Sequence, residues 1–319
     1  MPEDLRQKLT EASARLAESG VLIGTSSWKY PGWLGMIYDE QRYLYRGKFA
    51  TTRFERSCLE EYAGTFPSVC VDASFYRFPG KKFIDTIHGQ VPDGFRFSHK
   101  VTDTITIKHF PRLKRHGEFA GKDNPHFLNA DLFLSSFLEP LRPHQDKTGL
   151  LIFEFSRFYP GQFERGRDFL EMLDAFLGKL PTTDWDFGVE LRNESLLRPE
   201  YFEILKRHHV GHVYNQWTRM PDLADQLAEF PAECADAPAG ARLLLKRGRG
   251  YEEAVEAFSP YTETKEARPA VREAAAKLIE QRQGSKSGRK TYVYVNNRLE
   301  GNALNTISAI LDLLANRGS

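Results

Sequence analysis

From Val21 onward the chain alternates short apolar runs with stretches whose apolar residues recur every three or four positions. Runs of four to eight residues rich in Val, Ile, Leu, Phe and Tyr read as strands, and the 3.6-residue spacing reads as amphipathic helix. Eight such runs occur: VLIGTS (21–26), SVCVDAS (68–74), GFRFSHK (94–100), TGLLIFEF (148–155), DFGVELR (186–192), VGHVYN (210–215), ARLLLK (241–246) and TYVYVN (291–296). Helical spacing covers 54–63, 82–89, 130–141, 163–180, 199–208, 223–230, 268–283 and, after the last run, 303–314. Strands that alternate with helices pair in parallel through right-handed crossovers, and eight units predict an α/β fold closed as a (β/α)8 TIM-type barrel. An open doubly wound sheet fits less well, because no Gly-rich phosphate turn follows the first run. Residues 1–20 space Leu5, Leu9, Ala12 and Leu16 at helical intervals amid mixed charges, which predicts an N-terminal helical extension before a single barrel domain over 21–319.

Side chains along a barrel strand alternate between lumen and helix layer, so parity decides which residues can meet. The bulky set Leu151, Phe153 and Phe155 belongs against helices, which turns Ile152 and Glu154 inward. The same test turns inward Cys70 and Asp72, Ser98 and Lys100, Gly188, Glu190 and Arg192, Gly211, Val213 and Asn215, Leu244 and Lys246, and Tyr292, Tyr294 and Asn296. The charged members fall at the C-terminal ends of their strands, where barrel active sites assemble. One of them alone reads as a structural ion pair. Several converging from different strands read as a shared polar site, because a buried unpaired charge costs several kcal/mol.

Composition narrows the partners. The 44 basic and 43 acidic residues leave a net charge of +1, so no global field draws the chain to nucleic acid or membrane. Cys58, Cys70 and Cys234 are too few and too scattered for a disulfide framework or a Cys-based zinc site, which suggests a reducing, cytoplasmic setting. Residues 1–20 lack the continuous apolar stretch of a signal peptide, and no run approaches the ~20 apolar residues of a membrane helix.

Glu154 and Glu190 suit general acid/base work, one kept ionised by Arg192 and the other raised by burial, with Lys100 and the amides facing a developing oxyanion and Asp72 beside them. Cys70 lacks a partnering His and is a poor nucleophile candidate. No cofactor motif is found. Asp72, Glu154, Glu190, His99 and His109 could furnish oxygen and imidazole ligands for a divalent ion, but no His-x-His or His-Glu-x-x-His spacing occurs, and Lys100, Arg192 and Lys246 would crowd a cation. The residues thus favour chemistry without metal. In the loops, Trp28, Tyr30, Trp33, Tyr38, Tyr43 and Tyr45 follow the first strand and either stack on a sugar or base or pack over the mouth. Lys108, His109, Arg112, Lys114, Arg115, His116 and Lys122 crowd a long loop after the third strand, and KRGRG (246–250) follows the seventh. Two basic clusters on one rim favour a phosphorylated or otherwise anionic ligand.

The motifs GTSSWKYPGW (24–33), VDASFYRFP (71–79), VELRNESLL (189–197), FSPY (258–261) and YVYVNNRLEGNA (292–303) resemble, in order, the signatures of the YecE-like proteins, the domain of unknown function 72 family. The resemblance spans roughly 21–314 and implies a TIM-type barrel without supplying a reaction. It implies site roles for Thr25, Ser26, Trp28, Tyr76, Lys100, Glu190, Arg192, Asn193, Asn296, Asn297 and Glu300, with His109 as the counterpart of a family His. The chain departs from the family pattern at Cys70 and Asp72, where Glu and Asn are usual, and at Glu154, where Gln is frequent. Three readings follow: an acid/base enzyme (hydrolase, lyase or isomerase) for a small anionic or sugar-like substrate; a nucleic-acid-binding or nuclease-like barrel; and a non-catalytic barrel that binds a metabolite or partner.

Overall fold

The computed structural model describes residues 2–232, 236–285 and 288–317; Cys234 lies outside them. Eight parallel strands form a closed barrel: β1 (Val21–Thr25), β2 (Ser68–Val71), β3 (Arg96–Lys100), β4 (Thr148–Phe155), β5 (Phe187–Leu191), β6 (Gly211–Gln216), β7 (Ala239–Leu243) and β8 (Thr291–Val295). Each strand pairs with its neighbours in sequence, and β8 closes on β1 with Leu22 opposite Tyr292 and Gly24 opposite Tyr294. Sequential parallel pairing through helices gives every apolar run two buried faces, which is why these strands read as nearly continuous hydrophobic segments.

The two faces carry different side chains. On β4, Leu151, Phe153 and Phe155 pack outward with Phe133, Phe169 and Phe187, while Leu150 and Ile152 point inward to join Leu22, Cys70, Val213, Tyr292 and Tyr294. That inner cluster fills the barrel below the mouth. Gly188 and Gly240 make room for it: a Cβ on either would lie 2.8 Å from a methyl of Val213 or Leu150. Any larger residue there would force the filled layer apart.

The helix Pro2–Glu18 buries Leu9 and Leu16 in the main core, and Ala17 packs against the inner cluster at the foot of β1. Two buried leucines contribute roughly 2 kcal/mol each. That contribution matters for a helix of 17 residues, which would be marginal on its own. Lys8 adds contacts of 2.7 Å to Ser308 and Asp312 on the helix Ala303–Arg317.

Three segments differ from the sequence expectation. The 130–141 stretch is a single α turn (Ala130–Phe133) followed by π and 3-10 turns to Lys147, in a segment where Pro140 and Pro143 lack the N–H an α-helix would need. A further helix, Tyr251–Phe258, follows β7. The seventh strand runs over 239–243 rather than 241–246, because Gly240 pairs with Val213 and Arg242 with Asn215. No described helix is long and apolar enough to cross a membrane.

Candidate functional site

Strand register brings like charges together first. Glu154 on β4 pairs directly with Glu190 on β5, an arrangement that repels unless cations intervene. Arg242, projecting from β7, supplies one: its Nη1 lies 2.8 Å from Glu190 Oε2 and 3.0 Å from Glu154 Oε2, and its Nη2 lies 3.0 Å from Asp72 Oδ1 beyond β2. Arg192 supplies a second, with Nη2 2.5 Å from Glu190 Oε1 and 3.3 Å from Glu154 Oε2. The shorter of these is an ionic contact without a directed hydrogen bond to that oxygen. Lys100 at the end of β3 completes the set, its Nζ 2.8 Å from Glu154 Oε2. Three carboxylates thus interlock with three cations, and the cluster is neutral.

The cluster has two levels. Glu190 is 0% exposed and Arg242 2%, so they form a sealed lower tier. Lys100, Glu154 and Arg192 are buried at 7–8% exposure yet edge the mouth, and the Asp72 side chain is 33% exposed. Aromatic faces hold the upper cations: Lys100 Nζ sits 3.8 Å from the Phe75 ring centroid and the Arg192 guanidinium 4.1 Å from that of Trp217. Asn215 accepts from Arg192 Nη1 at 3.4 Å and donates to the Leu191 carbonyl at 3.0 Å, which fixes the guanidinium against β6.

Electrostatics follow from that packing. Burial alone would raise the Glu154 carboxyl, but Lys100, Arg192 and Arg242 outweigh it and hold the group well below the usual carboxylate range. Glu154 is therefore ionised at neutral pH and cannot be the protonated member of an acid/base pair. Arg242 loses by burial and gains more from Glu190, Asp72, Cys70 and Glu154, so its pKa stands well above the ordinary arginine value. Burial pushes the Cys70 thiol up to about 12, which leaves no thiolate for covalent chemistry.

The remaining residues singled out in the sequence divide between mouth and scaffold. Ser26 is buried, and its Oγ has no hydrogen-bond partner among the described residues. The Tyr30 hydroxyl is pushed up to about 12 by burial, with Arg298 lowering and Asp72 raising it, and its ring packs on Trp33 and Tyr261. Tyr76 is exposed on the rim under Arg115. Asn296 accepts the Arg298 N–H at 3.0 Å.

Thr25 turns to the helix layer, where its Oγ1 and the Tyr62 hydroxyl lie 2.9 Å apart. Trp28 belongs to the main core, and its carbonyl accepts from Tyr38. Asn193 brackets the backbone of Phe158, and Asn297 accepts the Ala303 N–H at 2.7 Å at the start of the last helix. Glu300 is fully buried between Arg272, whose Nη2 is 2.8 Å away, and Thr306. His109 pairs with Asp123 at 2.8 Å out in the long loop. Lys246, three residues past the end of β7, pairs with Glu266 at 3.1 Å with its side chain 41% exposed. Lys246→Ala is expected to change the unfolding free energy by no more than about 0.5 kcal/mol in urea titration, as for any exposed pair; a loss of several kcal/mol would restore it to the buried cluster.

Arg242 is the member that sequence reading missed. An Arg near the start of an apolar run looks like a strand entrance, and only the register against β6 raises it to the level of Glu190. Among the described residues, no three His, Cys, Asp or Glu side chains gather in a metal-holding group. The carboxylates of the mouth are instead engaged by Lys and Arg.

Solved structures similar to this one include a DUF72 family protein from Enterococcus faecalis V583, at 18% identity and a TM-score of 0.61 over 92% of this chain and 95% of that one. Another is a DUF72 family protein from Thermotoga maritima MSB8, at 19% identity and a TM-score of 0.54 over 93% and 98%. At such identities the likeness shows the fold. Among curated proteins the chain finds no match. The family described as protein of unknown function DUF72 matches residues 22–319, nearly the whole barrel, and the chain belongs to that family.

Proposed function

We propose that the barrel mouth is the active site of an enzyme that moves protons on a small, polar, anionic substrate. The observation that carries this reading is Glu154: a carboxylate held ionised by three cations, set at the level that edges the mouth, and 2.8 Å from a lysine. Stability does not account for the arrangement, because an apolar layer of the same volume usually matches or exceeds a buried ion cluster.

In this reading Glu154 takes a proton from a C–H or O–H next to a carbonyl or similar group. Lys100 donates to the oxygen that gains negative charge, in a low-dielectric wall where such a contact is strong. Glu190 and Arg242, sealed beneath, act as positioning residues. They fix Glu154 and Arg192 without touching substrate. An anionic substrate also competes for Arg192. An anionic group beside Arg192 offsets part of the guanidinium charge that Glu154 feels, which makes the carboxylate a stronger base.

The test is solvent exchange. Sugar phosphates and the matching free sugars are incubated with the protein in D2O, and 1H NMR reads deuterium entering at carbon. At least one phosphorylated sugar is expected to exchange, with Glu154→Gln slowing it by roughly 10²-fold or more. If the wild-type protein exchanges no compound faster than Glu154→Gln does, the proton-transfer reading is wrong.

A further inference from the structure

Part of the basic clusters that the sequence put on the rim is spent on other partners. Lys246 and Arg249 pair with Glu266, Arg249 also with Glu253, Arg115 with Asp103, and His109 with Asp123. A different set of cations has formed. Arg157 from the loop after β4, Arg192 from the end of β5 and Arg219 from the loop after β6 all line one cavity of about 460 Å³, together with Asn193, Glu194 and Ser195.

The three arginines differ in how they are held. Arg192 is almost fully buried, clamped on Trp217 and tied to Glu154 and Glu190. Arg157 and Arg219 are exposed, and no acidic side chain among the described residues pairs with either. Arg157 leans on the Tyr159 ring at 5.4 Å. Guanidinium groups left unpaired around a concave surface are suited to a tetrahedral oxyanion, because each planar fork can donate two parallel hydrogen bonds. Glu194 is the one acid in the lining. With three guanidiniums and this one carboxylate the lining keeps two formal positive charges, which match a dianion.

We infer that this cavity is the phosphate subsite of the proton-transfer site proposed above, and that its ligand is a small phosphomonoester dianion. The inference rests on that reading for the link to chemistry, though not for binding. Arg192 is the shared wall: one side lines the phosphate cavity, and Nη2 lies 3.3 Å from Glu154. A phosphate seated against Arg192 therefore puts the rest of the molecule within reach of Glu154 and Lys100. The phosphate is a handle, and the bond that changes lies nearer the barrel axis. A phosphodiester chain offers only one negative charge per phosphate, which suits three guanidiniums less well.

Isothermal titration with inorganic phosphate and glycerol 3-phosphate tests this. Saturable binding of both is expected, strengthening between pH 5.5 and 7.5 as the second phosphate proton leaves. Arg157→Ala and Arg219→Ala should each weaken glycerol 3-phosphate by about tenfold, and Glu194→Gln should tighten it. Both arginines are exposed, so these variants keep the fold, and circular dichroism checks that.

Absence of saturable phosphate binding, unchanged affinity in the Arg157→Ala/Arg219→Ala double variant, or tighter binding of a single-stranded oligonucleotide without terminal phosphate each overturns the subsite. Binding and exchange measured side by side on the wild-type protein separate the two proposals. Phosphate binding kept while wild-type exchange is absent sinks the proton-transfer reading alone. Exchange on free sugars with no phosphate binding sinks the subsite alone.

Discussion

Arg242→Met is expected to cost roughly 3–5 kcal/mol of unfolding free energy, the range for removing one partner from a buried ion cluster. The corresponding fall in Tm is roughly 4–8 °C. Its guanidinium reaches Asp72, Glu154 and Glu190 at once. Without it, two carboxylates paired side by side across β4 and β5 keep only Arg192 in common. Methionine fills much of the volume, so the loss reports charge rather than a cavity. Pairing it with Glu190→Gln removes the carboxylate most completely stranded, and the double variant should recover part of the loss. The coupling is read by chemical denaturation of the four proteins in the cycle. A single-variant loss under about 1 kcal/mol, or a double variant that is simply the sum, would mean that the cluster is not a cooperative unit.

The second large effect is acid sensitivity beginning well above the carboxylate range. His99 and His212 are buried and lowered to about 3 by desolvation, helped at His99 by His88. His88 is lowered to about 3 by burial and by the neighbouring His144 and Lys147. In the unfolded chain each returns to its ordinary value of 6.5. Between those limits the unfolded state binds a proton that the folded state refuses, so stability is complete above about pH 6.5 and declines as pH falls toward 3.

With three such groups the slope of unfolding free energy against pH should approach three protons below about pH 5, several kcal/mol in total. Glu154 adds its own loss lower down. Its folded pKa lies below its ordinary 4.5, so its contribution is present above that value and fades as pH drops beneath it. His99→Phe isolates the effect, because both ring nitrogens of His99 are buried without a partner among the described residues and an aromatic ring replaces them at little cost in volume. The variant should lose one proton from the slope and stand more acid than the wild type. An unchanged slope would place His99 outside this account.

The barrel was legible because its signals are local and repeated. Strand parity separated Leu151, Phe153 and Phe155 from Ile152 and Glu154 without any knowledge of partners, and the inner cluster of the fold follows that division. What parity cannot give is height. Lys246 and Arg242 have the same parity, and choosing between them requires knowing that Gly240 faces Val213, a pairing between strands that no single run contains. The same limit applies to Asn193 and Glu300. Their motifs sit in the right place along the chain, but whether an amide or carboxylate faces a ligand or brackets a loop depends on backbone donors and arginines brought in from elsewhere, such as Phe158 and Arg272. The 108–122 and 246–250 basic runs meet a related limit: charge in sequence does not say which carboxylates fold against it, as Asp103 does against Arg115 and Glu266 against Lys246 and Arg249.

The filled interior has one more implication. Leu22, Cys70, Leu150, Ile152, Val213, Tyr292 and Tyr294 plug the tube beneath the charges, and Ala17 of the first helix packs against that plug from below. The cluster is thus a cul-de-sac. In the proposed reaction a proton taken up by Glu154 would return toward the mouth, past Lys100 or Asp72, and a molecule resting on the rim would stand in that path. Such a pocket would keep a borrowed proton in custody until it is handed back to the same guest.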